Sequence, residues 1–160
     1  MLERLVYRHL TNKTVLIVDD DSSIRTVLKK QLMAVPGLLI KEASDGKYAI
    51  DRLNESDVDC VLVISDINMG HMNGFELLKA IRSGDTRAPR DLPIVLISST
   101  ESLNFKDLAA RLDANAYIVK PISYAVLIDT LADTISRPIT LMSPSNYAKM
   151  DIQSTISLDR

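Results

Sequence analysis

The chain has 160 residues, enough for one domain and tight for two. Hydrophobic residues make up 46% and charged residues 25%, a balance that excludes wholesale disorder. With 19 Lys and Arg against 21 Asp and Glu, the net charge of −2 lacks the positive excess of a protein built to grip nucleic acid, so no DNA-binding domain is expected.

Residues 1–12 hold Leu2, Leu5, Val6, His9 and Leu10, spaced like one face of a short helix, and read as a stub packed on the domain. They lack the long apolar stretch of a signal peptide. The first strand is Val15–Val18, and the next helix carries Ile24, Val27, Leu28, Gln31 and Leu32, with Asp21 or Ser22 available as N-cap. Leu38–Ile40, continuing through Lys41 to Ala43, is more polar and reads as a strand nearer an edge. Tyr48, Ala49 and Leu53 mark a short second helix. Val61–Ile64 is a buried strand, and Cys60 at its start reads as a small buried thiol. As the only cysteine, it leaves no internal disulfide and no cysteine zinc site. Phe75, Leu78 and Ile81 mark a third helix, and Ile94–Ile97 a further strand. Phe105, Leu108, Ala109 and Leu112 mark a fourth helix. Ala116–Val119 is the last strand, and Tyr124, Leu127, Ile128, Leu131 and Ile135 mark a fifth helix. Pro36-Gly37, Asp45-Gly46 and Ser83-Gly84-Asp85 read as turns. No apolar run approaches 18 residues, so no membrane span is expected and the default compartment is the cytoplasm.

Short Val- and Ile-rich runs alternating with helices predict an α/β domain, its five-stranded parallel sheet doubly wound with helices on both faces. Such sheets bind ligands at the carboxyl ends of their strands. There the sequence places Asp19, Asp20 and Asp21 after the first strand, Asp66 after the third, Ser98 after the fourth and Lys120 after the fifth. Packed carboxylates repel, and one must protonate unless a cation neutralises them. A hard divalent cation with oxygen ligands does this, and Mg²⁺ suits a site with few carboxylates that keeps several waters. Asp21 alone reads as a helix cap.

Four stretches carry a resemblance: Leu16-Ile-Val-Asp-Asp-Asp-Ser-Ser-Ile-Arg25, Val63-Ile-Ser-Asp-Ile-Asn-Met-Gly-His-Met-Asn-Gly-Phe-Glu-Leu-Leu78, Pro93-Ile-Val-Leu-Ile-Ser-Ser99 and Tyr117-Ile-Val-Lys-Pro121. In this order and spacing the chain resembles the response regulator receiver domains of two-component systems, of the single-domain chemotaxis type, over roughly residues 13–136. The resemblance implies a flavodoxin-like strand order 2-1-3-4-5. It implies that Asp66 accepts a phosphoryl group from a sensor histidine kinase or a histidine phosphotransfer protein. Asp19, Asp20, Asp66 and the backbone carbonyl of Asn68 would hold Mg²⁺. Ser98 would bond the phosphoryl group, Lys120 would pair with one of its oxygens, and Tyr117 would move inward on activation. Asn68 and Thr100 flank the path of the hydrolytic water and would tune dephosphorylation. A cis bond before Pro121 is also implied. Gly70 stands where the family commonly has proline, which makes that loop more flexible, and Gly74 matches the glycine that opens the third helix. His71 reads as a solvent-facing loop residue.

The chain is thus read as a receiver (13–136) with a short N-terminal extension (1–12) and a C-terminal extension (137–160) that holds no effector domain. It would be a phosphoacceptor with slow self-dephosphorylation at most, rather than an enzyme. Its partners would be the kinase or phosphotransfer protein, an unidentified output protein and a possible second copy, with neither nucleic acid nor membrane. Output is expected to act by protein contact through the surface built from the Phe105 helix, the Ala116–Val119 strand and the Tyr124 helix, with the tail placed to join or shield it. Residues 137–160 contain Ile139, Leu141, Met142, Tyr147, Met150, Ile152, Ile156 and Leu158, too apolar for a plain solvated tail. They could fold back, pair with a second copy or dock on a partner. Other readings are a degenerate receiver serving as a scaffold or phosphate sink, a small aspartyl-phosphate phosphatase, and a nucleotide-binding module. Such phosphatases usually carry a second acid two residues after the nucleophile, where this chain has Asn68, and no glycine-rich loop follows the first strand.

Overall fold

The computed structural model describes residues 1–56 and 59–158. The elements run α1 (Leu2–Leu10), β1 (Thr14–Val18), α2 (Ser22–Leu32), β2 (Leu39–Ala43), α3 (Gly46–Leu53), β3 (Cys60–Asp66), α4 (Gly74–Ser83), β4 (Ile94–Ser98), α5 (Leu103–Arg111), β5 (Ala116–Val119), α6 (Tyr124–Ser136), α7 (Pro144–Ala148) and α8 (Ile152–Leu158). The five strands form one all-parallel sheet in the order β2-β1-β3-β4-β5. This is the doubly wound fold expected from the sequence.

Strand alternation divides the core into two layers. Leu16, Val18, Val63 and Leu96 point to the face covered by α3, α4 and α5. Val15, Ile17, Ile64, Val95 and Ile97 point to the face covered by α1, α2 and α6. Each fully buried aliphatic side chain contributes about 1.5–3 kcal/mol relative to exposure. Central β1 and β4 are buried along their whole length, whereas β2, at an edge, exposes Leu39.

Two local expectations need correction. Asp45-Gly46 is not a turn but the start of α3, because the Asp45 carboxylate accepts a hydrogen bond from the Tyr48 amide at 3.0 Å and caps the helix. In α1 only Val6 and Leu10 are buried, one helical turn apart, while Leu2 and Leu5 remain exposed. The tail folds back on the domain: α7 packs against α4, outside the expected contact surface, while α8 packs against α5, a helix of that surface. The last two tail residues lie outside the described residues. Among the described residues no helix is long and apolar enough to cross a membrane.

Candidate functional site

The parallel register brings the carboxyl ends of the strands level. Val18 pairs with Ser65, Asp66 with Ile97, and Ser98 with Val119. Asp19 follows β1, Asp66 closes β3, Ser98 closes β4 and Lys120 follows β5, so one edge of the sheet collects all four. The Lys120 ammonium lies 3.1 Å from Asp19 Oδ2 and 3.3 Å from Asp66 Oδ1, bridging the two carboxylates. Carboxylate oxygens of Asp19, Asp20 and Asp66 all lie within 4.8 Å of one another. Asp19 and Asp66 are buried, while Asp20 is exposed.

Burial pushes the Asp66 carboxyl up to about 6, the Asp19 charge adds to this, and Lys120 opposes it. Burial likewise raises Asp19 above its ordinary value, against the hydrogen bond from the Asp21 amide and the pairing with Lys120. Burial works to lower Lys120, but the Asp66 and Asp19 carboxylates outweigh it and hold the ammonium above its ordinary value. Three acids against one ammonium leave a net charge of −2 when all are ionised. The donors are all hard oxygens, and exposed Asp20 opens the cluster to water. This set fits a hard divalent cation such as Mg²⁺.

The loops around the cluster are fixed from the backbone. Asp21 caps α2 by accepting from the Ser23 amide at 2.9 Å, so its role is structural. Asn73 and Glu76 form a capping box that starts α4. At Gly74 the adjoining backbone leaves no room for a side chain: a Cβ there would sit 2.4 Å from the Asp66 carbonyl oxygen. At Gly70 a Cβ would meet nothing within 4 Å, so space does not demand glycine. His71 is exposed, as expected.

Ser98 is fully buried, and its Oγ accepts a hydrogen bond from the Thr100 amide at 3.1 Å. The Tyr117 hydroxyl donates to the Thr100 carbonyl at 2.8 Å, and the Lys106 ammonium sits 5.9 Å from the Tyr117 ring centroid. Asn68 is exposed on the loop two residues after Asp66. The Lys120–Pro121 bond is cis.

The sequence reading missed Arg25. Its Nη1 donates to the Asp19 carbonyl at 2.5 Å and its Nε to Glu42 at 3.0 Å, tying the acidic loop to α2 and β2. Its signal was position, one turn into the helix that follows the acidic run. Lys106 was missed as well, because its contact with Tyr117 depends on how α5 lies beside β5.

Residues 15–132 match the response regulator receiver domain family. The chemotaxis protein CheY-3 of Vibrio cholerae is 35% identical over 126 residues, which cover 79% of this chain and 94% of that protein. A chemotaxis protein CheY homolog of Campylobacter jejuni is 33% identical over 121 residues, 76% of this chain and 91% of that one. The solved structure of Vibrio cholerae chemotaxis protein CheY4 superposes with a TM-score of 0.64 at 32% identity, covering 74% of this chain and 95% of that one.

Proposed function

This chain belongs to the response regulator receiver family, and from that premise we propose that it accepts a phosphoryl group on Asp66 and signals by phosphorylation-controlled protein contact. Receivers serve two-component phosphorelay signalling as signalling proteins rather than classical enzymes. The observation that carries the proposal is the Lys120 ammonium held between Asp19 and Asp66 beside a third carboxylate.

In the proposed reaction an ionised Asp66 oxygen attacks the phosphorus of a phosphohistidine on a sensor kinase or phosphotransfer protein. An O–P bond forms, the N–P bond breaks, and the imidazole leaves with the bonding pair. With its pKa raised to about 6, Asp66 is mostly ionised at neutral pH. Asp19, Asp20, Asp66 and the Asn68 backbone carbonyl would hold Mg²⁺, which supplies charge neutralisation at the phosphoryl oxygens. Lys120 is placed to pair with a phosphoryl oxygen once Asp66 is modified, exchanging one anionic partner for another. Ser98 supplies a hydroxyl donor, and Tyr117 responds to its movement. Asn68 and Thr100 border the approach of water, and neither is a strong base, which suits slow self-dephosphorylation. Contact is made through the surface of α5, β5 and α6, in the cytoplasm, with an output protein or a second copy.

The test is intact-mass spectrometry after exposure to acetyl phosphate. The wild-type chain gains one phosphoryl group with Mg²⁺ and none with excess chelator, and Asp66→Asn gains none in either. Equal modification of the variant, or of the chelated protein, overturns the proposal.

A further inference from the structure

Residues 133–160 lie beyond the matched family range, yet the segment that follows α6 is seated on the domain with specific chemistry. Tyr147 of α7 is fully buried. Its hydroxyl donates to Asp113 Oδ2 at 2.7 Å and accepts from the Met142 amide at 2.9 Å. Arg90 donates to the Met142 carbonyl at 2.6 Å, and its guanidinium lies 5.8 Å from the Tyr147 ring centroid. Lys79 of α4 donates to the Met150 carbonyl at 2.9 Å. Ile152 of α8 is buried in the same cluster as Phe105, Leu108 and Leu112, and Ile156 packs against that cluster. The tail therefore holds α5 from one side.

From the other side α5 is tied to the site. Ser98 Oγ accepts from the Thr100 amide, Thr100 Oγ1 accepts from the Ser102 amide at 3.2 Å, and Ser102 Oγ caps α5 by accepting from the Phe105 amide at 3.1 Å. A Ser98 hydroxyl that turns toward a phosphoryl group leaves the Thr100 amide. A shift of the loop and the first turn of α5 would satisfy it again. That shift moves the surface on which α8 rests.

We propose that residues 138–158 form an intramolecular clasp on α4 and α5 that holds α5 in its unphosphorylated position, so that phosphorylation of Asp66 and seating of the tail oppose one another. The proposal rests on the reading of Asp66 as phosphoacceptor. Because linkage is reciprocal, loosening the tail strengthens binding of a phosphoryl group by the same factor by which that group loosens the tail.

The experiment uses the full chain with Mg²⁺ and beryllium fluoride as phosphoryl mimic. Fluorine NMR reads binding, and hydrogen exchange with mass spectrometry reads the tail. Binding speeds amide exchange across residues 145–157 by at least about fivefold, the lower end of ordinary allosteric coupling. Tyr147→Phe keeps the ring and removes both hydroxyl bonds, and Ile156→Ser weakens the other end of the clasp. Each speeds tail exchange without the mimic and binds the mimic at least about fivefold more tightly, with exchange in β1 and β3 unchanged as proof of fold. A mimic that binds while tail exchange stays unchanged or slows overturns the clasp alone. Failure of the mimic to bind the wild-type chain overturns the phosphoacceptor reading, and the clasp with it.

Discussion

Burial and the Asp19 carboxylate push Asp66 from its ordinary 3.8 up to about 6, against the pull of Lys120. A carboxyl that binds its proton more tightly in the folded chain adds stability that is complete below 3.8 and lost as pH rises through about 6. Ionised Asp66 therefore destabilises the metal-free fold at neutral pH. Asp66→Asn removes that charge and is expected to stabilise the chelator-treated protein by on the order of 1–3 kcal/mol at pH 8. The gain shrinks as pH falls toward 5. Urea unfolding of both proteins at pH 8 and pH 5 measures it, and a less stable variant at pH 8 contradicts the account. This cluster was legible in the sequence because each polar residue closes or follows an apolar run, and a parallel sheet sends those ends to one edge. Arg25 was not legible in the same way: one partner is a backbone carbonyl, which no residue type advertises, and the other, Glu42, lies 17 residues away on β2.

At the scale of elements, the Val- and Ile-rich runs identified the strands. Ala116–Val119 coincides with β5, and β3 extends past its apolar run to Asp66 because pairing with β4 continues through Ile97. α7 and α8 were not legible as helices. They have five and seven residues, too short for periodicity to separate helix from loop, and their burial depends on distant α4 and α5. Arg82 was hidden for a related reason. On the sequence it is an ordinary charged position in α4, yet it is fully buried. Its guanidinium donates to the carbonyls of Arg90, Leu92 and Asp113 and to Asn115 Oδ1, joining α4 to the loops around β4 and β5. Burial lowers it to about 10, so it stays charged at neutral pH. Arg82→Met fills similar space but strips several buried acceptors of their donor, each costing about 1–3 kcal/mol. A loss of roughly 3 kcal/mol or more in denaturant unfolding is expected. A loss below about 1 kcal/mol shows that water replaces the guanidinium without penalty.

For the whole molecule, the parallel sheet and its loops gather at one edge an acidic cluster suited to a cation. Buried Asp19 and Asp66 share the Lys120 ammonium, with the exposed Asp20 carboxylate beside them, so a divalent cation relieves repulsion only in the folded state. Mg²⁺ is expected to stabilise the chain by about 2.7 kcal/mol at 100 times its dissociation constant. Asp20→Asn diminishes that stabilisation and leaves the metal-free form more stable than wild type. Thermal unfolding against Mg²⁺ concentration reads both effects, and an Mg²⁺-independent midpoint for the wild-type chain contradicts the site. The central claim, that Asp66 carries the phosphoryl group, is tested most directly by borohydride trapping. Reduction of an aspartyl phosphate yields homoserine, which tandem mass spectrometry locates in the sequence. After treatment with acetyl phosphate and Mg²⁺, homoserine is predicted at position 66 and at none of positions 19, 20 or 21. Homoserine at another aspartate, or at none while the intact chain still gains phosphoryl mass, contradicts it.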